Sequence, residues 1–166
     1  MNEQRWTLRY ESLPETVEEF DQLLATRQKA PQEIAGLFIV AMCRYPADPE
    51  AALEMVNRLR GPRPLSNYER QFYRDRMDYG YVPRSYFVGA TPANDYTPDQ
   101  PLTLVVEGNR VSYDWEGMAR LLMKSGGADS PRPIVLRLKR STGEWFLWEE
   151  ALLAGIRPPV SADPWA

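Results

Sequence analysis

Asp129 and Arg132 stand three residues apart in Ser125-Gly126-Gly127-Ala128-Asp129-Ser130-Pro131-Arg132-Pro133, a segment whose Gly, Ser, Asp and Pro residues favour turns. A loop that presents backbone N–H groups beside a guanidinium can hold a carboxylate or a phosphate. Ser125, Asp129, Ser130 and Arg132 are therefore candidate binders of a small anionic ligand, with Trp145 and Trp148 of Glu144-Trp145-Phe146-Leu147-Trp148 beside them. The competing structural account has Asp129 accepting backbone N–H bonds and Arg132 pairing with it or capping a strand end, so that the loop only keeps its shape. No phosphate loop is present: Gly126-Gly127 follows Lys124 rather than preceding Gly-Lys-Ser/Thr, and GxGxxG does not occur.

The chain holds no histidine and a single cysteine, Cys43. That removes Ser-His-Asp and Cys-His nucleophiles, an imidazole base, a His-containing zinc site and a thiolate cage. What survives is carboxylate, Lys, Tyr or Arg chemistry, so no catalytic residue, no metal ligand and no cofactor is assigned. Glu18-Glu19 reads as a solvated pair on an early helical turn. Glu149-Glu150 closes the Trp-rich strand, where a salt bridge to Arg137 or Arg140 across a hairpin is expected. Asp75 and Asp78, among Arg70, Arg74 and Arg76, read as solvated ion pairs on a helix.

The elements that position these groups come from 166 residues, 43% hydrophobic and 26% charged, enough for one domain with a real core. A net charge of -3 with both signs interspersed gives no footprint for nucleic acid or a membrane surface. Seventeen of the 20 basic residues are Arg, but they are scattered, as a codon bias would leave them. Cys43 ends the apolar run Ile34–Cys43, which is too short to cross a membrane and makes the thiol a small buried hydrophobe. The residues from Met1 to Arg5 begin no signal peptide, so a cytoplasmic protein is expected.

Periodicity predicts an α+β fold: a helical N-terminal half of about four short helices packed on a C-terminal antiparallel meander. Trp6, Leu8 and Tyr10 alternate with Arg5, Thr7 and Arg9 as in a half-buried strand. Ser12-Leu13-Pro14-Glu15 reads as a capping box opening a helix from Pro14 to Thr26. Pro31 opens a second helix, apolar all round and therefore central, in which Gly36 marks close packing. Asp48-Pro49-Glu50 starts a third that Gly61-Pro62 stops, and Ser66-Asn67-Tyr68-Glu69 caps a fourth running to Gly80, with Tyr68, Phe72, Tyr73 and Met77 on its apolar side. The four prolines of residues 81–101 argue against helix and for an ordered connection. Its Tyr81, Arg84, Tyr86, Phe87 and Tyr96 either pack on the body or form an interaction surface.

In residues 102–156 a strand over Leu102–Glu107 turns at Gly108-Asn109 into a return strand at Val111–Tyr113. Residues 118–124 suit helix or strand, with strand preferred before the Gly-Gly loop. Ile134–Lys139 and Glu144–Trp148 form a hairpin about Ser141-Thr142-Gly143. The domain spans 1–160, Leu152–Ile156 packs back as a final turn, and 157–166 is an extended tail.

Val82-Pro83-Arg84-Ser85-Tyr86-Phe87, Gly89-Ala90-Thr91-Pro92, the Ser125–Pro133 segment and Gly143-Glu144-Trp145-Phe146-Leu147-Trp148-Glu149 together resemble a bacterial family catalogued as a domain of unknown function. That resemblance, over roughly residues 81–160, implies no activity or site. The last hairpin is also similar to those of cystatin-like and nuclear-transport-factor-2-like α+β folds, with a charged strand, a Gly turn and Gly143-x-Trp145-x-Leu147, although the helices here are more numerous.

The function stays unknown at this level. The leading expectation is a non-catalytic cytoplasmic protein-binding or assembly domain that uses the aromatic connection and the Gly-Gly loop. The alternative is a small-molecule pocket or cofactor-free enzyme in which Asp129 and Arg132 orient an anionic ligand. A third is a homodimer whose Trp strand pairs across a two-fold.

Overall fold

Alternation of apolar and polar residues from Gln4 to Tyr10 places Leu8 and Tyr10 on one side of a strand and Arg5, Thr7 and Arg9 on the other. The computed structural model describes residues 3–77 and 79–165. In it this strand, β1 (Gln4–Tyr10), pairs antiparallel with β2 (Leu102–Gly108) along its whole length. β3 (Met118–Met123), β4 (Arg132–Lys139) and β5 (Glu144–Glu150) continue the antiparallel sheet in the order β1-β2-β3-β4-β5. The first strand of the chain thus closes one edge of the C-terminal meander. The fold is α+β.

One face of this sheet is apolar and covered. α2 (Pro31–Cys43) is buried from Ile34 to Met42 and meets all five strands, as its all-round hydrophobicity requires. Gly36 is the point of closest approach: a β-carbon there would lie 2.5 Å from Leu8 Cδ1 and 2.6 Å from the Tyr10 hydroxyl. α1 (Val17–Ala25) and α3 (Pro49–Arg60) pack on α2, with Asp48 Oδ1 accepting from the Ala51 N–H and Gly61 at φ +61° ending α3. α4 (Asn67–Arg76) begins with the Ser66–Glu69 capping box. No helix among the described residues is long and apolar enough to cross a membrane.

Several local expectations are corrected. Helix α1 starts at Val17 rather than Pro14, because Thr16 Oγ1 accepts from the Glu19 N–H and the Glu19 carboxylate accepts from the Glu15 N–H, repeating the capping spacing later in the chain while Pro14 is buried. Helix α4 stops at Arg76, short of Gly80, and Tyr68 is 81% exposed rather than on its packed side. Asp78 lies outside the described residues; Asp75 accepts from Gln71. The connection contains one helical turn, α5 (Tyr81–Arg84), and a 3₁₀ turn at Pro92–Asn94 whose proline sits in its first turn, where a missing N–H removes no bond. Val111–Tyr113 is not a strand. Asn109 N–H donates to Ser112 Oγ (2.8 Å) and Val111 N–H to Asn109 Oδ1 (3.0 Å), so side chains hold a turn that β-branched propensity alone would not predict. The tail carries a 3₁₀ turn at Val160–Ala162 and is not wholly extended.

Candidate functional site

The Gly-Gly loop follows β3 and lies directly against the connection. Ser125 Oγ donates to Ser85 Oγ (2.7 Å), the Gly126 N–H to the Ser85 carbonyl (2.8 Å), and the Gly127 N–H to Ser125 Oγ (3.0 Å). A β-carbon on Gly126 would come within 2.0 Å of the Ala90 carbonyl oxygen, and one on Gly127 within 2.2 Å of the Tyr96 hydroxyl. Gly126 therefore serves a backbone contact, and Gly127 leaves room for the Tyr96 and Ile156 side chains. Asp129 pairs with Arg157 (2.9 Å), while Arg132 donates to Ser130 Oγ (3.3 Å) and the Gly155 carbonyl (3.1 Å). Among the described residues Asp129 and Arg132 form no ion pair with each other. Both instead hold the chain that follows β5.

In the connection Tyr86, Phe87 and Tyr96 are buried, and Tyr81 and Arg84 are half-buried. Phe87 bridges Leu104 of β2, Tyr81 stacks on Tyr96 at 5.4 Å, and Arg84 donates to the carbonyls of Gly80, Asp95 and Tyr96. These residues fasten the connection to the body more than they face outward. Tyr79, stacked on Tyr81 at 5.9 Å, is the exposed end of this column.

The Trp strand has a different geometry. Val135 pairs with Glu149 but Leu136 pairs with Leu147, so Trp148 is the extra residue of a β-bulge on β5. A bulge re-aims side chains and shifts the alternation beyond it. Trp145 and Leu147 point toward the core, and after the bulge Glu150, opposite Ile134, turns inward where an unbroken strand would have turned Glu149. The expected salt bridges of Glu149 or Glu150 to Arg137 or Arg140 do not form among the described residues; Arg140 pairs with Glu116. Instead the Glu150 carboxylate accepts from the Tyr73 hydroxyl (3.2 Å) and the Leu152 N–H (2.8 Å). Burial raises its pKa, against the pull of those two donors and of Arg76 and Arg60. Burial and the neighbouring Glu150 likewise raise the pKa of Tyr73.

Two guanidinium groups lie over the Trp148 ring, Arg63 at 4.2 Å and Arg137 at 4.5 Å from its centroid. Arg137 comes from β4, where it sits two residues from the bulge. Arg63 comes from the turn after α3, placed by Gly61, whose missing side chain lets the Phe146 ring approach. Arg63 also donates to the Trp148 carbonyl. Partial burial, then the like charge of Arg60, lower the Arg63 pKa. Arg60, only 5% exposed, is held by Glu69 (2.9 Å) and the Arg63 carbonyl (2.8 Å). Burial pushes the Glu69 carboxyl up, but the Ser66 amide and Arg60 together outweigh it and leave its pKa lowered.

Trp148 borders three concavities. One of about 340 Å³ is lined by Arg60, Arg63, Arg137, Lys139 and Phe146; one of about 420 Å³ by Glu69, Tyr73, Glu149 and Glu150 with Arg60 and Arg63. The third, about 320 Å³, runs to Trp115, which is 77% exposed. Charge, stacking and apolar surface converge here. No three His, Cys, Asp or Glu residues among those described gather as metal ligands. Sequence reasoning singled out Trp148, missed Arg63 and read Arg137 only as a salt-bridge partner of Glu149 or Glu150, because only the bulge and the Gly61 turn bring the two arginines to the ring.

No curated protein and no solved structure matches the chain. The model of a protein family described as a domain of unknown function (DUF6935) matches residues 12–160, which take in the five helices and strands β2 to β5 but not β1. The chain belongs to that family.

Proposed function

We propose that this member of the family is a non-catalytic protein-binding domain whose contact surface is centred on Trp148. The observation that carries the reading is the ring's position between three concavities with Arg63 and Arg137 on it, neither of which forms an ion pair among the described residues. Trp, Tyr and Arg are the side chains that anchor interfaces, and exposed Trp115 and Tyr68 flank the ring. Contact by side chains is favoured over strand addition at this edge. The Trp145 N–H donates to the Gln28 carbonyl (2.8 Å), Gln28 Nε2 donates to the Trp145 carbonyl (3.1 Å), and Arg63 takes the Trp148 carbonyl. A homodimer through paired Trp strands would have to displace all three bonds. A cytoplasmic setting is part of the proposal, supported by the lone cysteine Cys43, half-buried against the core, where desolvation raises its pKa to about 12.

The test is site-specific photo-crosslinking in the native host, with p-benzoylphenylalanine replacing Trp115, Tyr68 or, as a control, Tyr79. Discrete protein adducts are expected at Trp115 and Tyr68, absent at Tyr79, and lost when Trp148→Ala is added. Adducts that persist in the Trp148→Ala background would sink the proposal.

A further inference from the structure

The surfaces on the two sides of Trp148 differ in charge. On one, Glu69, Glu149 and Glu150 balance Arg60 and Arg63. On the other, Arg60, Arg63, Arg137 and Lys139 line about 340 Å³ with no carboxylate, over an apolar floor that includes Phe146 and Trp148. Arg60 is already neutralised by Glu69, which leaves Arg63, Arg137 and Lys139 without an ion-pair partner among the described residues. Each guanidinium carries five N–H donors, and Arg63 gives one position to the Trp148 carbonyl. Stacking on the indole holds both guanidinium groups before any ligand arrives, which reduces the ordering required for a planar anion. The volume lies near the lower end of ligand-sized sites, room for a carboxylate side chain and one apolar neighbour.

From this geometry we infer that the Lys139 side of Trp148 is a recognition pocket for an acidic peptide segment of the partner protein, one that places an Asp or Glu carboxylate on Arg63 and Arg137 and an adjacent apolar side chain on Phe146 and Trp148. It rests on the proposed protein-binding function and names the partner's chemistry. Phosphate is the competing anion, since guanidinium groups take it bidentately as they take a carboxylate, and displacement separates the two.

The experiment is selection from a random dodecapeptide phage library on the immobilised full chain. Fluorescence anisotropy then measures the enriched peptide, labelled with fluorescein, and a copy with each acidic residue replaced by its amide. Enrichment of Asp or Glu beside an apolar residue is expected. Binding should weaken at least about tenfold in the Arg63→Gln/Arg137→Gln variant, and similarly for the amide peptide. Lys139→Glu, an exposed change that leaves the stack in place, should weaken it as well and guards against misfolding of the double variant. Peptides without acidic bias, equal affinity for the double variant, or displacement by 10 mM inorganic phosphate but not by 10 mM acetate would each overturn the inference. Binding that needs Trp148, tested as Trp148→Leu, yet ignores the arginines defeats only the acidic-segment inference. Peptide binding unaffected by Trp148→Leu defeats the protein-binding reading too.

Discussion

Glu150 shares its face of the sheet with Ile134, and its carboxyl group is satisfied by two donors, the Tyr73 hydroxyl and the Leu152 N–H. Burial raises its pKa in the folded chain above the unfolded value. Below the unfolded value both states hold the proton and Glu150 adds no penalty. As pH rises through the folded value, the native state must carry a buried charge and loses stability relative to the low-pH condition. Glu150→Gln removes that dependence while its amide oxygen still accepts from Leu152 and its NH₂ can donate to Tyr73. Urea unfolding should therefore find the variant no more stable than the parent at pH 4 but more stable at pH 8; a parent–variant difference independent of pH contradicts this account. Gly126 makes the second claim at this scale. Adding a β-carbon 2.0 Å from the Ala90 carbonyl forces backbone apart, so Gly126→Ala should lose about 1–3 kcal/mol in the same assay, whereas an unchanged midpoint would show that the loop does not bear on the connection.

At the scale of elements, what could be read from sequence divides by range. Pro31, the Asp48-Pro49 cap, the Ser66–Glu69 box and the alternation of β1 act within one turn or one strand, and each marks the element it announces. Gly36→Ala, at the approach of α2 to Leu8 and Tyr10, should cost about 1–3 kcal/mol for the same steric reason, despite alanine's better helix propensity; a gain in stability would mean that helix and sheet are not so close. The bulge in β5 was not legible, since it exists only in the pairing of β5 with β4, and with it went the burial of Glu150 and the aim of Trp148. Val111 and Tyr113 read as strand because propensity does not count the Asn109–Ser112 bonds that close a turn. Ser125, Asp129 and Arg132 were legible as an ordered loop. Their partners Ser85, Arg157 and Gly155 are distant in sequence or outside any motif, so what the loop holds was not.

Across the whole molecule the sheet is covered on the α2 face, while its opposite face carries the exposed Arg5, Arg9, Arg120, Arg137 and Lys139 on a chain of net charge -3. The edge at β1 discourages self-pairing: an antiparallel two-fold centred on Thr7 would set Arg5 against Arg9 and Glu3 against Glu11. The edge at β5 is sealed by Gln28 and Arg63, and that seal frames the Trp148 ring as a side-chain surface. The most direct measurement compares stability and partner capture in one variant, Trp148→Ala, with the crosslinker at position 115. A partly exposed ring at a binding face predicts a loss of no more than about 2 kcal/mol in urea together with disappearance of the adducts. A loss of about 3–5 kcal/mol, as for a core Trp, with adducts retained per folded molecule would show instead that Trp148 serves the fold and that the binding surface lies elsewhere.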